Sequence, residues 1–383
     1  MRRTTIGIVI ALSLGACQDF DGRGDSGAAG IGTLTAGKAD EADTDAEDTD
    51  GGGGTTGEGT EGGESGFGDD GPKFDLGGGK GPSPVDTDGC GTECECTIPD
   101  HQPCDAATGD PFRAMGLGCP GELAVQTTVT GPPGAIGVRT SFGGNGTFAP
   151  REGSSYAVIG SGFVTDLDMQ TPGGDSNQDP THCNDDLGGQ WDVGGNLPPP
   201  LRVNNVGGDC TANPGLLGTG DCSNTIAGQF NQGSSANDYV ELRFELDVPL
   251  DVVSLSYDFA FFSTEYPYYY GSAFNDMYVG WLESEAWTGN ISFDAMGNPI
   301  SLNAGFLDYR DDGGNLPEFA GTCMRQHAGT GWLSTNAGVV PGEHITVAFG
   351  IFDLSDSILD SYVFLDNFQW GCEPGAPTTT PEG

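Results

Sequence analysis

The most legible pattern along the chain lies in its second half. Val240, Leu242, Phe244, Leu246 and Val248 alternate with Glu241, Arg243, Glu245 and Asp247, the period-two signature of a half-buried antiparallel strand. Leu255, Tyr257, Phe259 and Phe261 share one face of a second strand, and Ile345, Val347, Phe349 and Ile351 share one face of a third. Val363 and Leu365 continue the pattern near the end, and clusters of Gly, Pro, Asn and Asp separate the runs. No stretch of ten or more residues carries a helical stripe. Many short strands between turn signals predict an all-β fold, an antiparallel β-sandwich or jelly roll. The sandwich is expected over residues 123–383, most clearly over 240–372.

The first part of the chain has the opposite character. Residues 17–89 contain Gly51-Gly52-Gly53-Gly54, Gly77-Gly78-Gly79 and an Asp/Glu/Thr-rich run from Asp40 to Asp50. After Cys17 this segment holds 18 acidic and 4 basic residues, with few large apolar ones. It cannot bury enough surface to offset chain entropy, so a disordered tether is expected. A Gly-rich coil of this length spans roughly 45–50 Å, and self-repulsion extends it. Arg23-Gly24-Asp25-Ser26 matches an integrin-binding tripeptide, but in a Gly/Asp-rich tract such a match arises cheaply by chance.

Ahead of the tether, Met1-Arg2-Arg3 precedes an apolar run from Ile6 to Leu14, closed by Leu14-Gly15-Ala16-Cys17. The run is too short for a permanent membrane span and fits the core of a secretory signal peptide, residues 1–16. Its ending resembles the lipobox of bacterial lipoproteins, which implies cleavage before Cys17 and diacylglycerol on the Cys17 thiol, with acyl chains as the membrane anchor. Gln18 after the cysteine favours onward sorting to an outer membrane. The expected location is therefore exported and lipid-anchored, at the outer membrane or cell surface.

Cysteine usage agrees with export. Ten cysteines follow Cys17: Cys90, Cys94, Cys96, Cys104, Cys119, Cys183, Cys210, Cys222, Cys323 and Cys372. An even number in an oxidising compartment predicts five disulfides. Residues 90–122 form a Cys-rich lead-in with an odd number of cysteines, so at least one bond must leave it. Cys210 and Cys222 bracket a Gly-rich loop and read as a local pair, and Cys323 with Cys372 would tie a late loop to the C-terminal end. A zinc site in the Cys90–Cys104 cluster is the rival, with spacings irregular for it.

Charge narrows the partners. The 383 residues carry a formal net charge of −43, which excludes nucleic acid as a natural partner and argues against docking on anionic lipid by charge. Contact with a membrane is then expected through the lipid anchor only. Past residue 88 there are 38 acids against 7 Arg and no Lys. Calcium suits such a surplus, because it takes six to eight oxygens from carboxylates, amides and carbonyls. Asp353, Asp356, Asp360 and Asp366 cluster around the last two strands and form one candidate site. Asp175, Asn177, Asp179 and Asp186 fall at positions 1, 3, 5 and 12 of an EF-hand-like loop, with Pro180 where that loop wants Gly. Turn-forming and strand-capping Asp is the plain alternative for both sets.

Glu265, Tyr266, Tyr268, Asn275 and Asp276 form a candidate ligand site around Tyr266-Pro267-Tyr268-Tyr269-Tyr270. Aromatics beside carboxylates and amides grip sugars by stacking and hydrogen bonding, whereas tyrosines packed across a sheet edge would be structural. No Gly-x-Ser-x-Gly turn, P-loop or spaced pair of the four His marks a catalytic centre.

Phe259-Ala260-Phe261-Phe262-Ser263-Thr264-Glu265-Tyr266, Phe274-Asn275-Asp276, and the stretch from Asp353 through Val363-Phe364-Leu365-Asp366-Asn367-Phe368 resemble the signature of choice-of-anchor L domains. The resemblance covers roughly residues 156–372 and is weaker before 240. It implies an exported bacterial protein with a variable anchoring device, and it brings no catalytic set. Thr264 stands where Glu is common in the family, and the anchor here is N-terminal. Taken together, the sequence predicts a non-enzymatic surface lipoprotein with a binding, adhesive or structural role. That role would be calcium-dependent and directed at an extracellular polysaccharide or surface protein. An extracellular glycan hydrolase is the alternative.

Overall fold

The computed structural model describes residues 96–169 and 182–382. The expected signal peptide, Cys17, the expected tether, Cys90 and Cys94 lie outside the described residues. In chain order the strands are β1 (Gln126–Thr130), β2 (Ile136–Arg139), β3 (Tyr156–Gly160), β4 (Ala236–Asp247), β5 (Ser254–Ser263), β6 (Met277–Glu283) and β7 (Thr288–Asn290). They continue with β8 (Ile300–Ser301), β9 (Tyr309–Arg310), β10 (Ala328–Gly329), β11 (Leu333–Gly338), β12 (His344–Leu354), β13 (Ser361–Gly371) and β14 (Thr378–Pro381). The two α-helices among the described residues are single turns, Pro111–Ala114 and Ile226–Phe230.

Two antiparallel sheets pack as a sandwich. One runs β1-β4-β12-β6-β7 with β8 added on β6, and the other runs β14-β11-β5-β13-β3-β2 with β10 added on β5 and β9 on β10. The alternating apolar rows meet between the sheets. Val240, Leu242, Phe244 and Leu246 of β4 and Ile345, Val347, Phe349 and Ile351 of β12 face Leu255, Tyr257, Phe259 and Phe261 of β5 and Val363 and Leu365 of β13. The expected sandwich and its four long strands are therefore present.

The outer faces depart from the expectation of a solvated side. On the first sheet, Tyr239, Val279, Trp281, Ala348 and Phe352 are buried under Leu197, Leu201, Val203, Ile226 and Phe230 from the long β3–β4 connection. On the second, Tyr156, Phe262, Tyr362 and Phe364 are covered by Phe142, Phe148, Phe319 and Trp332. Glu241, a polar position of the alternating β4 row, is consequently buried, and it survives there by accepting hydrogen bonds from Tyr239 Oη at 2.5 Å and Arg243 at 2.6 Å.

Four disulfides staple the described residues: Cys96–Cys372, Cys104–Cys119, Cys183–Cys323 and Cys210–Cys222. The local Cys210–Cys222 pair and a bond leaving the lead-in are as expected. The pairing of Cys323 with Cys372 is corrected: Cys323 reaches Cys183 under the second sheet, and Cys372 holds the lead-in at Cys96. Zinc is excluded for Cys96 and Cys104, whose sulfurs are spent in disulfides. These bonds place the domain in an oxidising, extracytoplasmic compartment. No helix among the described residues is long and apolar enough to cross a membrane.

Candidate metal centre

Antiparallel pairing gathers strand ends from both sheets at one end of the sandwich. The C-terminal end of β12 lies beside the starts of β4 and β6, through the pairs Asp353–Asn237 and Phe352–Met277. The start of β13 lies beside the end of β5, through Ser361–Ser263. Each of these ends carries a carboxylate: Asp238 on β4, Glu265 just after β5, Asp276 just before β6, Asp353 on β12, and Asp356 and Asp360 on the connection to β13. Glu265, Asp276, Asp238, Asp353 and Asp360 are all at most 1% exposed.

Buried Asp is common in this fold, and elsewhere it is matched with donors. Asp105 accepts from the Ser154 and Ser155 amides, both at 2.6 Å, and from both hydroxyls. Burial opposes its ionisation, but these bonds outweigh it and hold the carboxyl below its ordinary range. Asp221 takes the amides of Ser223, Thr225, Ile226 and Asn290, and Asp311 those of Asn315, Leu316 and Gln326. These are turn-organising carboxylates, the plain alternative for an Asp-rich chain.

Asp353 is different. It is fully buried and neither carboxylate oxygen has a hydrogen-bond partner. The nearby Ser161 hydroxyl favours its ionised form, but it is bound to β13, accepting the Ser361 amide at 2.9 Å and donating to Ser361 O at 3.4 Å. Burial pushes Asp353 far up, and the charges of Asp276, Asp360 and Asp238 push it further. Asp276, the charge that pushes Asp353 up most, is itself bound by Ser361 Oγ at 2.6 Å and the Leu354 amide at 3.3 Å. Glu265 is raised by burial and then by Asp276 and Asp356. Asp238, raised to about 7 by burial and by Asp186 and Asp192, leaves one oxygen unpartnered, as does Asp356. These acids disfavour one another and leave at least four orphaned oxygens between them, and among the described residues no Lys or Arg figures in what perturbs them.

The expected residues are redistributed by this geometry. Asp353, Asp356 and Asp360 share the end described, Asp360 held by the Asp185 amide and Tyr362 Oη, both at 2.9 Å. Asp366 does not join them. Six residues along β13 from Asp360, roughly 20 Å at strand rise, it takes the Arg151 amide at 2.6 Å and the Glu152 amide at 3.3 Å and anchors that loop. Asp186 caps a turn by accepting the Gly188 amide at 2.7 Å, while Asp175, Asn177 and Asp179 lie outside the described residues. Glu265, Asn275 and Asp276 are buried, so direct contact with a sugar is ruled out for them; their side chains point inward at strand ends. Sequence proximity pointed to neither Asp238, Asp276 nor Glu265 as partners of Asp353, since only the sheet topology unites them.

The segment between Glu265 and Asp276 is thus fixed at both ends in this carboxylate cluster. The Asp276 amide leans on Glu265 Oε2 at 3.5 Å, and the loop is braced by Tyr269 N to Glu265 O at 3.0 Å. Its outer side displays Tyr268 and Tyr270, 45% and 44% exposed. Tyr266 is packed inside, its hydroxyl donating to Asp312 at 2.5 Å. The Arg310 guanidinium lies 5.0 Å from the Tyr270 ring and 5.9 Å from that of Tyr266.

Among the described residues, three potential ligand atoms of His, Cys, Asp or Glu come within 4.8 Å of one another only at His101, Cys119 and Glu122. Cys119 is bonded to Cys104, so that trio offers no thiolate. The acids at the strand ends are spaced more openly. A cation there would take one or two of these carboxylates, with carbonyls and water completing an all-oxygen set, which is the chemistry of calcium rather than of tetrahedral zinc. Comparison of the chain with protein-family models, with curated proteins and with solved structures gives no match.

Proposed function

We propose that the chain is an exported, surface-tethered binding protein whose sandwich is completed by calcium. The observation that carries this reading is Asp353, buried, unpartnered and ringed by other acids. Asp353 and its neighbour Asp276 are the proposed ligands, with Glu265, Asp356, Asp238 and Asp360 adding negative field. Calcium is chosen for its hard, oxygen-only coordination. Bound there, it offsets the mutual repulsion of the acids and locks both ends of the 265–276 loop.

The loop in turn presents Tyr268 and Tyr270 beside Arg310, a combination suited to stacking on sugar rings, and an extracellular polysaccharide is the proposed partner. Diacylglycerol on Cys17 and the acidic tether would hold the domain off a membrane, with the outer membrane the proposed site. The segments that resemble choice-of-anchor L domains, 259–266 and 274–276 with Asp353, are those that border the proposed metal site, and membership of that family is part of the proposal. A glycan hydrolase needs two accessible carboxyls about the scissile bond; Glu265 and Asp276, the acids nearest the tyrosines in sequence, are buried.

Thermal unfolding of the purified chain in calcium and in EDTA tests the reading. At a hundredfold excess over Kd, linkage adds about 2.7 kcal/mol, a rise of roughly 5–10 °C for a domain of this size. Identical transitions in the two buffers would remove calcium from the account. Retention on immobilised polysaccharide in calcium but not in EDTA is the expected result for the loop.

A further inference from the structure

A second feature, built from different residues, is a cleft of about 900 Å³ between the lead-in segment and the β4–β5 turn. One wall is the stretch Ile98–His101, which two disulfides bracket: Cys96–Cys372 before it and Cys104–Cys119 after it. The Thr97 amide adds a hydrogen bond to Asp251 O at 2.9 Å. A segment pinned in this way is pre-organised, so binding against it costs little ordering entropy.

The walls are apolar and partly open to solvent. Ile98, Leu123 and Leu250 are 53%, 47% and 79% exposed and line the same cleft as Val125 and Trp370. Polar groups enter in one place, where His101 Nδ1 meets Glu122 at 2.5 Å and His101 Nε2 meets Glu152 at 3.1 Å. One imidazolium can neutralise one of these two carboxylates and leaves one negative charge. Asp100, Asp247 and Asp251 add to it at the rim, with Asp247 shared by His344 at 2.8 Å, and no lining residue is Lys or Arg. An anionic ligand is repelled from such a site. The volume suits a small molecule and the field suits a cation.

We propose that this cleft binds a small amphipathic cation, a protonated amine carried on an apolar stem. The ammonium sits on Glu122 and Glu152, and the stem lies along Ile98, Leu123, Leu250 and Trp370. The site shares no residue with the proposed metal centre, so its failure would leave the calcium reading standing.

Calorimetric titration of the full chain with decylamine, decyl glucoside and decanoate, each below its micelle concentration, separates charge from apolar contact. Decylamine is expected to bind saturably at one site, about tenfold or more tighter than decyl glucoside, with no binding of decanoate. Glu152→Gln should bring decylamine to the level of the glucoside. Leu250→Ser, at a position too exposed to be needed for folding, should weaken both in parallel. Equal binding of all three amphiphiles would show an unselective apolar surface and overturn the proposal, as would the absence of saturable binding. Unchanged decylamine affinity in both variants, or binding insensitive to Leu250→Ser should Glu152→Gln fail to fold, would overturn it too.

Discussion

Replacing Asp353 by Asn should change stability in opposite directions with and without calcium. In EDTA the wild-type chain keeps a buried carboxyl with no hydrogen-bond donor among other acids. At pH 8 it must either hold an uncompensated charge or bind a proton against the solution, and a buried unpaired charge costs several kcal/mol after relaxation. Asn keeps the shape, removes the charge and brings an NH₂ that can donate to a neighbouring carboxylate such as Asp276. Asp353→Asn is therefore expected to raise stability in EDTA by about 1–3 kcal/mol. In calcium at a thousandfold excess over Kd, the wild type gains about 4.1 kcal/mol from linkage, and the variant forfeits most of it. The assay is chemical unfolding of both proteins in both buffers at pH 8, with ΔG compared from the midpoints at equal slope. Equal destabilisation in calcium and in EDTA would refute the reasoning, because it would make Asp353 an ordinary packed side chain.

Other expectations follow from the same geometry. Asp238, Asp276, Asp353 and Asp360 and Glu265 are all raised in the folded state, so the folded chain holds protons that the unfolded chain releases. Their contribution is fully present below the ordinary carboxylate range near pH 4; it is lost as pH climbs, Asp238 going through about 7 and the more strongly raised acids above that. Thermal midpoints in EDTA should accordingly fall between pH 5 and 8. Calcium, which needs the ionised form, should abolish the part of that slope due to its ligands; Asp366, Asp221, Glu241 and Glu152, raised by burial away from the metal centre, leave a calcium-independent remainder. Gly162→Ala would set a methyl onto the Asp360 carboxylate, which is held in place by Tyr362 and the Asp185 amide; calcium affinity measured by titration should drop by tenfold or more, about 1.4 kcal/mol. Removing the Cys210–Cys222 bond by paired Ser substitution should cost about 3 kcal/mol on the chain-entropy estimate, read as a lower thermal midpoint with calcium binding retained.

Residues with local reach were readable from the chain. The alternating rows of β4, β5, β12 and β13 follow directly from period-two burial between two sheets. Asp353, Asp356 and Asp360 were found because one strand connection carries them all. Asp366 was grouped with them by the same nearness, yet strand rise carries it to a different loop. Glu265 and Asp276 were noticed for their tyrosine neighbours and assigned to the outside, because sequence does not reveal that these strand ends keep their polar residues buried. Asp238 went unread since Asp353 stands 115 positions away and Asp186 and Asp192 reach it only through the fold. The covered outer faces were missed for a related reason: Tyr239, Trp281 and Phe352 sit among polar-looking alternations, and their cover comes from distant loops. The Cys183–Cys323 and Cys96–Cys372 bonds were equally beyond spacing arguments.

The most direct test of the central claim is a count of bound calcium. Equilibrium dialysis of the metal-stripped chain against radioactive calcium, at physiological salt and pH 7.5, measures stoichiometry and affinity without reference to stability. The account predicts saturable binding of at least one ion per chain, abolished in Asp353→Asn and retained in a control such as Asp110→Asn on the exposed lead-in. No saturable binding by the wild type, or equal binding by Asp353→Asn, would contradict it.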